Sequence, residues 1–184
     1  LSMINQILFI SIAYLIGSLS FGIIISKSLK LSDPRTIGSK NPGATNVMRT
    51  GSKLAAILTL FGDVLKATFV VTVAMLFNLN DLELMQVTLA VLIGHTYPVY
   101  YKFKGGKGVA TALGILLASN WILAISVVFI WLVIFSIWRY SSLAAITASF
   151  SLPIISYCIN DTSYILLTNV LITALIIFNH NSNI

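Results

Sequence analysis

The sequence predicts an all-α integral membrane protein: a seven-transmembrane-helix bundle forming a single domain over residues 1–184, with its N-terminus outside and its C-terminus cytoplasmic. Three observations carry that prediction. Hydrophobic residues make up 58% and charged residues 9% of the 184, and mean hydropathy is +0.97, so too few polar side chains exist to cover a soluble globule. The apolar residues form continuous runs without the alternation that barrel strands need, and a run of about 20 lets a helix pair its own backbone across the hydrocarbon. Finally, cations and acids occupy different linkers, as the positive-inside rule requires.

The apolar runs cover 3–25, 54–77, 84–101, 109–118, 121–138, 141–159 and 163–178. The first is too long for a signal peptide and lacks a cleavage site, so it is a span; Leu1 and Ser2, ahead of Met3, read as a remnant. The second carries Asp63 and Lys66 one turn apart, roughly 15 Å from its start at about 1.5 Å per residue. Charges at that depth face the bundle and pair, giving a structural ion pair at the floor of a site. The fourth run is only about 15 Å long, so it is a half-helix or begins inside the preceding glycine loop.

Ser119 and Asn120 divide the fourth run from the fifth, and parity requires that break. With it, Arg139 and the terminal "NHNSNI" fall inside and Asp161 outside; without it, Arg139 and the tail fall outside, against the charge rule. In the sixth run Pro153 predicts a kink. Cys158 is the only cysteine; it has no disulfide partner and reads as packing. Tyr97, Tyr100, Tyr101, Trp121, Trp138, Tyr140, Tyr157 and Tyr164 fit interfacial belts, whereas Trp131, in mid-run, reads as packing.

The linker after the first run holds Lys27, Lys30, Arg35, Lys40, Arg49 and Lys53, and the one after the third holds Lys102, Lys104 and Lys107. "NLNDLE", with Asp81 and Glu83, and "INDTS", with Asp161, are acidic. The basic linkers are therefore cytoplasmic. The formal charge of +6 follows from that rule, needs no nucleic-acid partner, and implies none.

Three polar stretches share the cytoplasmic face: "GSKNPGATNVMR" (38–49), "GHTYPVYYKFKGGKGVAT" (94–111) and "NHNSNI" (179–184). A glycine-rich turn leading into a helix can present N–H groups to an anion, and "GGKGVAT" has that form with Lys107 as a point charge. It is not a Walker loop, because Gly108 stands where a hydroxyl residue must follow the lysine. Read alone, it is equally a flexible loop with ordinary lysines. In the first stretch Arg49 can grip a phosphate through two N–H groups, Lys40 and Lys53 add charge, and Ser39, Thr45 and Asn46 donate hydrogen bonds; the plainer reading is a polar loop turned by Asn41 and Pro42. His180 and Asn183 form the third stretch, where a lone terminal histidine is often simply solvated. No carboxylate joins these residues, which excludes a Ser-His-Asp triad and a two-carboxylate hydrolase. Two histidines 85 positions apart make no metal site, and no cofactor is expected.

These stretches, with "GSLSFG", "GDVLK" and "RYSSLA", resemble the bacterial acyl-phosphate-dependent glycerol-3-phosphate acyltransferase (PlsY) family across essentially the whole chain. The resemblance implies a seven-helix bundle of the bacterial cytoplasmic (inner) membrane with its active site facing the cytoplasm. It implies acyl phosphate and glycerol 3-phosphate as substrates, lysophosphatidic acid as product, and a soluble acyl-phosphate synthase as a partner. It places the motif serine at Ser39, the motif arginine at Arg49, the glycerol-phosphate loop at Gly105, Gly106, Lys107 and Gly108, and the terminal pair at His180 and Asn183, with Ser142 a further contact. Two departures stand out: Lys40 occupies a position where glycine is common, and the chain stops at Ile184 where relatives run on. Phosphate is a good leaving group, so holding both reactants in line and neutralising developing charge would suffice for transfer. The resemblance implies that the substrate's own phosphate acts as base, positioned by His180 and Asn183; His180 itself is the other candidate. An alternative from a different class is a membrane transporter of a phosphorylated small molecule, built on broken helices and basic loops.

Overall fold

The first apolar run folds as two helices, α1 (Met3–Gly17) and α2 (Phe21–Ser28), bent by 42° rather than continuous as expected. Polar residues at the join explain the bend. Ser18 is fully buried and its hydroxyl donates to the Tyr14 carbonyl at 2.9 Å, while Ser20 starts α2 in extended conformation. The Leu19 carbonyl freed there accepts a hydrogen bond from Lys66 Nζ at 2.6 Å. The computed structural model describes residues 3–184; Leu1 and Ser2, with the reading of them as a remnant, lie outside the described residues.

After the basic linker come the short α3 (Ala44–Val47) and the long α4 (Lys53–Leu76), which Ser52 caps through its hydroxyl to the Ala55 N–H at 3.1 Å. α5 (Asp81–Thr96) starts three residues before its predicted boundary because Asn80 and Glu83 form a reciprocal capping box, each bond 3.0 Å long. It also stops early, at Thr96, where Pro98 turns the chain into a 3-10 turn over Val99–Tyr101. α6 (Val109–Ser119) and α7 (Trp121–Trp138) are separated at Asn120, the break that parity required. α8 (Ser141–Cys158) runs on through Pro153, and α9 (Ser163–Asn179) ends the bundle. Cys158, expected to pack, is exposed at the end of α8. No strand occurs among the described residues.

By length and apolarity α4, α7 and α8 could each cross a membrane alone, and the α1–α2 pair would make a fourth. The remaining helices are shorter: α5 has 16 residues, α6 has 11 and α9 has 17. Packing uses close backbone approach and hydroxyl contacts, as expected where lipid gives helices no hydrophobic reason to associate. A Cβ on Gly17 would lie 2.2 Å from the Val91 carbonyl oxygen, and one on Gly94 2.2 Å from that of Tyr14, so α1 and α5 touch backbone to backbone. Thr68 donates from α4 to the Gly114 carbonyl of α6 at 2.9 Å, and Thr173 from α9 to that of Ser149 in α8 at 2.7 Å. α7 is the outermost wall; only Leu123 and Ala124, in its first turn, are buried.

The two ends of the bundle differ. At one end Asn120 Nδ2 donates to Asp161 at 3.3 Å and Thr162 to Asp81 at 3.5 Å. Gln6 meets Gln86 and Phe9 packs on Phe77 in that half, so α1 begins there. At the other end Thr45 meets Ser141, Tyr97 donates to Asn179 at 3.2 Å, and Lys107 to Asn183. The chain therefore starts at one end and finishes at the other. All three polar stretches lie at the second end.

Candidate active site

A cavity of about 740 Å³ opens at that second end. Ser39, Thr45, Arg49, Lys107, His180 and Asn183 stand at its polar part, and α6, α7 and α8 continue it inward through Leu113, Leu116, Val127, Leu132 and Leu152. The arrangement fits an amphiphile with an anionic head. Asn46, Gly108 and Ser142 line it as well, as does Arg139, which the sequence reading used only for orientation. Trp131 lines the apolar part and stacks on Phe135, with ring centroids 4.8 Å apart and planes at 19°.

The serine-arginine segment is shaped by one buried amide. Asn46, 2% exposed, donates from Nδ2 to the carbonyls of Pro34 at 2.7 Å and Ile37 at 3.1 Å, and its Oδ1 accepts from the Ser39 N–H at 3.0 Å. Arg49 reaches the same Oδ1 at 3.5 Å, too long to be a strong tie, so its guanidinium keeps donors for a ligand. Gly38 is required twice over: its φ is +51°, and a Cβ would sit 2.4 Å from Asn46 Oδ1 and 2.6 Å from Arg49 Nη1. Lys40 also has positive φ, +56°, a conformation in which glycine is unstrained. The polar segment is thus a fixed turn with exposed Ser39, Thr45 and Arg49 side chains.

The glycine loop differs from the expectation of free N–H groups turned to an anion. Gly105 N–H donates to the Thr96 carbonyl at 3.2 Å and Gly106 N–H to that of His95 at 3.1 Å, closing the end of α5. Neither lines the cavity. Lys107 and Gly108 do, with Gly108 at φ +91° starting α6. Burial lowers the Lys107 pKa, and its ammonium donates to Asn183 Oδ1.

Behind the loop lies a group that the sequence reading recognised only in part. Asp63 and Lys66 pair at 2.8 Å as expected, and His95 joins them, its Nδ1 2.9 Å from Lys66 Nζ. All three are at least nine-tenths buried, at 2%, 6% and 5% exposure. In the sequence His95 stands in "GHTYP", ahead of the glycine loop, and nothing local ties it to the Asp63–Lys66 pair on another helix. A Cβ on Gly106 would lie 2.1 Å from His95 Nε2, so that glycine is where the loop clears the imidazole.

At the C-terminal end His180 caps α9. Its Nδ1–H donates to the Ile176 carbonyl at 2.8 Å, which leaves Nε2 as an acceptor in the neutral ring. Burial pushes its pKa down, and the nearby Lys107 charge adds to that. Residues from all three stretches therefore share one cavity; the Lys107–Asn183 bond joins the second to the third, and Thr45 ties the first to Ser141 at the start of α8 at 3.2 Å.

A family model described as glycerol-3-phosphate acyltransferase matches residues 7–184. A glycerol-3-phosphate acyltransferase of Methylobacillus flagellatus is 50% identical over 181 residues, covering 98% of this chain and 92% of that protein. One of Paraburkholderia phymatum is 48% identical over 177 residues, covering 94% and 84%. Two crystal structures of PlsY (YgiH), an integral membrane glycerol 3-phosphate acyltransferase, share the fold at 40% identity. The glycerol 3-phosphate form gives a TM-score of 0.92 over 97% of this chain and 90% of that one. The lysophosphatidic acid form gives 0.90 over 97% and 89%.

Proposed function

The chain belongs to the glycerol-3-phosphate acyltransferase family, and on that premise we propose that it transfers a fatty acyl group from acyl phosphate to the 1-hydroxyl of sn-glycerol 3-phosphate. The hydroxyl oxygen bonds to the acyl carbonyl carbon, the bond from that carbon to the phosphate oxygen breaks, and lysophosphatidic acid and inorganic phosphate leave. The observation that carries this reading is a single cavity with Arg49 and Lys107 at its polar part and leucines and valines within. Two anionic heads need the first, and an acyl chain needs the second.

In this reading Arg49, Lys107 and Ser39 hold and neutralise phosphate oxygens, while Thr45 and Ser142 add hydroxyl contacts. Asn46 fixes the turn that presents Ser39, since its amide is committed to backbone groups. Gly105 and Gly106 act by letting the loop pack against α5, and Gly108 by starting α6 beside the ligand. His180 and Asn183 position glycerol 3-phosphate, whose own phosphate takes the hydroxyl proton. Attack is aided chiefly by alignment and charge neutralisation. The bent α1–α2 pair and the six helices α4 to α9 make seven crossings of the bacterial cytoplasmic membrane, N-terminus outside and the cavity mouth facing the cytoplasm, where a soluble synthase supplies acyl phosphate.

Purified protein incubated with labelled glycerol 3-phosphate and either acyl phosphate or acyl-CoA tests the proposal. Labelled lysophosphatidic acid is expected from acyl phosphate alone, and Arg49→Ala should abolish it while the protein stays folded and monodisperse. Preference for acyl-CoA, or full activity in Arg49→Ala, contradicts the assignment. Flux of glycerol 3-phosphate into sealed vesicles without product would favour the transporter.

A further inference from the structure

The buried Asp63–Lys66–His95 group has two unused polar atoms at the cavity. Lysine has three protons to donate, and Lys66 Nζ has three acceptors within reach: the Leu19 carbonyl at 2.6 Å, Asp63 Oδ1 at 2.8 Å and His95 Nδ1 at 2.9 Å. Asp63 Oδ1 also lies 3.5 Å from His95 Nδ1, a longer contact than the 2.9 Å from Lys66; with Lys66 as the donor Nδ1 carries no proton, and that of a neutral imidazole sits on Nε2. Lys66 takes only one carboxylate oxygen. Asp63 Oδ2 and His95 Nε2 have no hydrogen-bond partner among the described residues, and both residues line the cavity beside Lys107 and Gly108.

One acceptor and one donor, on two residues that are nine-tenths buried and line the same cavity, do not suit an anion, which the carboxylate would repel. They suit a hydroxyl, which donates through its proton and accepts through its oxygen. Resting on the acyltransfer reading above, we propose that Asp63 and His95 recognise the C2 hydroxyl of glycerol 3-phosphate: the hydroxyl donates to Asp63 Oδ2 and accepts from His95 Nε2–H. The ion pair with Lys66 keeps Asp63 an acceptor that does not take the proton, so the pair reads the non-reacting hydroxyl and leaves attack to C1. Lys66 is the positioning residue, holding the imidazole in the donating tautomer.

A site built around a hydroxyl rejects an analogue that lacks it, because the buried donor and acceptor are left unpaired. The test compares glycerol 3-phosphate with 3-hydroxypropyl phosphate, which keeps the reacting hydroxyl and lacks the one at C2. Wild-type kcat/KM is expected to be about tenfold or more lower for the analogue. His95→Leu should lose that discrimination, whereas His95→Gln, whose amide can accept from Lys66 and donate into the cavity, should retain much of it. A structural role alone would lower both substrates equally. In wild-type protein carrying 15N-histidine, the Nε2–H signal of His95 should shift with glycerol 3-phosphate and stay fixed with the analogue, a readout independent of any variant's folding. Equal use of both substrates, undiminished discrimination in His95→Leu, or identical shifts with both ligands overturns the inference. Failure of the wild type to acylate glycerol 3-phosphate at all would instead overturn the reading on which it rests.

Discussion

His180 owes its chemistry to one backbone contact: with Nδ1–H given to Ile176, the ring presents an unprotonated nitrogen to the cavity, and burial opposes a second proton. Because its pKa in the folded protein lies below the ordinary 6.5, the unfolded chain takes up a proton first as pH falls. Above that value His180 is neutral in both states and contributes nothing to pH dependence. Below it, stability should decline toward the folded pKa. Melting of purified protein between about pH 8 and about pH 5 should therefore fall more steeply for wild type than for His180→Gln; parallel curves would contradict the burial argument. At this scale the sequence exposed Ser39, Arg49, Lys107, His180 and Asn183, because their residue types suit phosphate chemistry. It did not reveal how Asn46 spends its amide on Pro34, Ile37 and Ser39, nor that Lys66 reaches His95 29 positions away. Those pairings depend on how helices meet.

Among the elements, the α6–α7 break was legible and the α1–α2 bend was not. Asn120 announces a cap: its Oδ1 accepts from the Ile122 and Leu123 N–H groups at 3.1 and 3.4 Å, and its Nδ2 ties the break to Asp161. In "GSLSFG" the same small polar residues fit a continuous span just as well, and only Lys66, taking the Leu19 carbonyl, gives the opened turn a partner. Replacing Asn120 with Ala removes the cap and the link to Asp161 together. The expected loss is about 1 to 2 kcal/mol, of which the cap alone supplies about 1, seen as a melting point lower by several degrees. An unchanged melting point would mean that α7 is not held at that end. The helical faces themselves were illegible, because lipid-facing and buried positions are both apolar; α7 exposes Ile125, Phe129 and Ile137 yet offers Val127, Trp131 and Leu132 to the cavity.

On the scale of the molecule, an integral membrane bundle brings residues from three linkers, the C-terminal stretch and helices α4 to α9 around one cavity. The number of apolar runs and the charge of each linker were enough to anticipate that the three polar stretches share a face. The cavity's depth between α6, α7 and α8 was beyond reach, since it arises where α7 leaves the core after Ala124. In the proposed reaction the three stretches form one phosphate cradle. Calorimetric titration of glycerol 3-phosphate onto the purified protein tests it most directly, using one variant from each stretch: Arg49→Ala, Lys107→Met and Asn183→Ala. Every one of them should weaken binding of that ligand by about tenfold or more, the scale of a lost charged hydrogen bond, with the fold intact. Wild-type affinity in any of the three would contradict it.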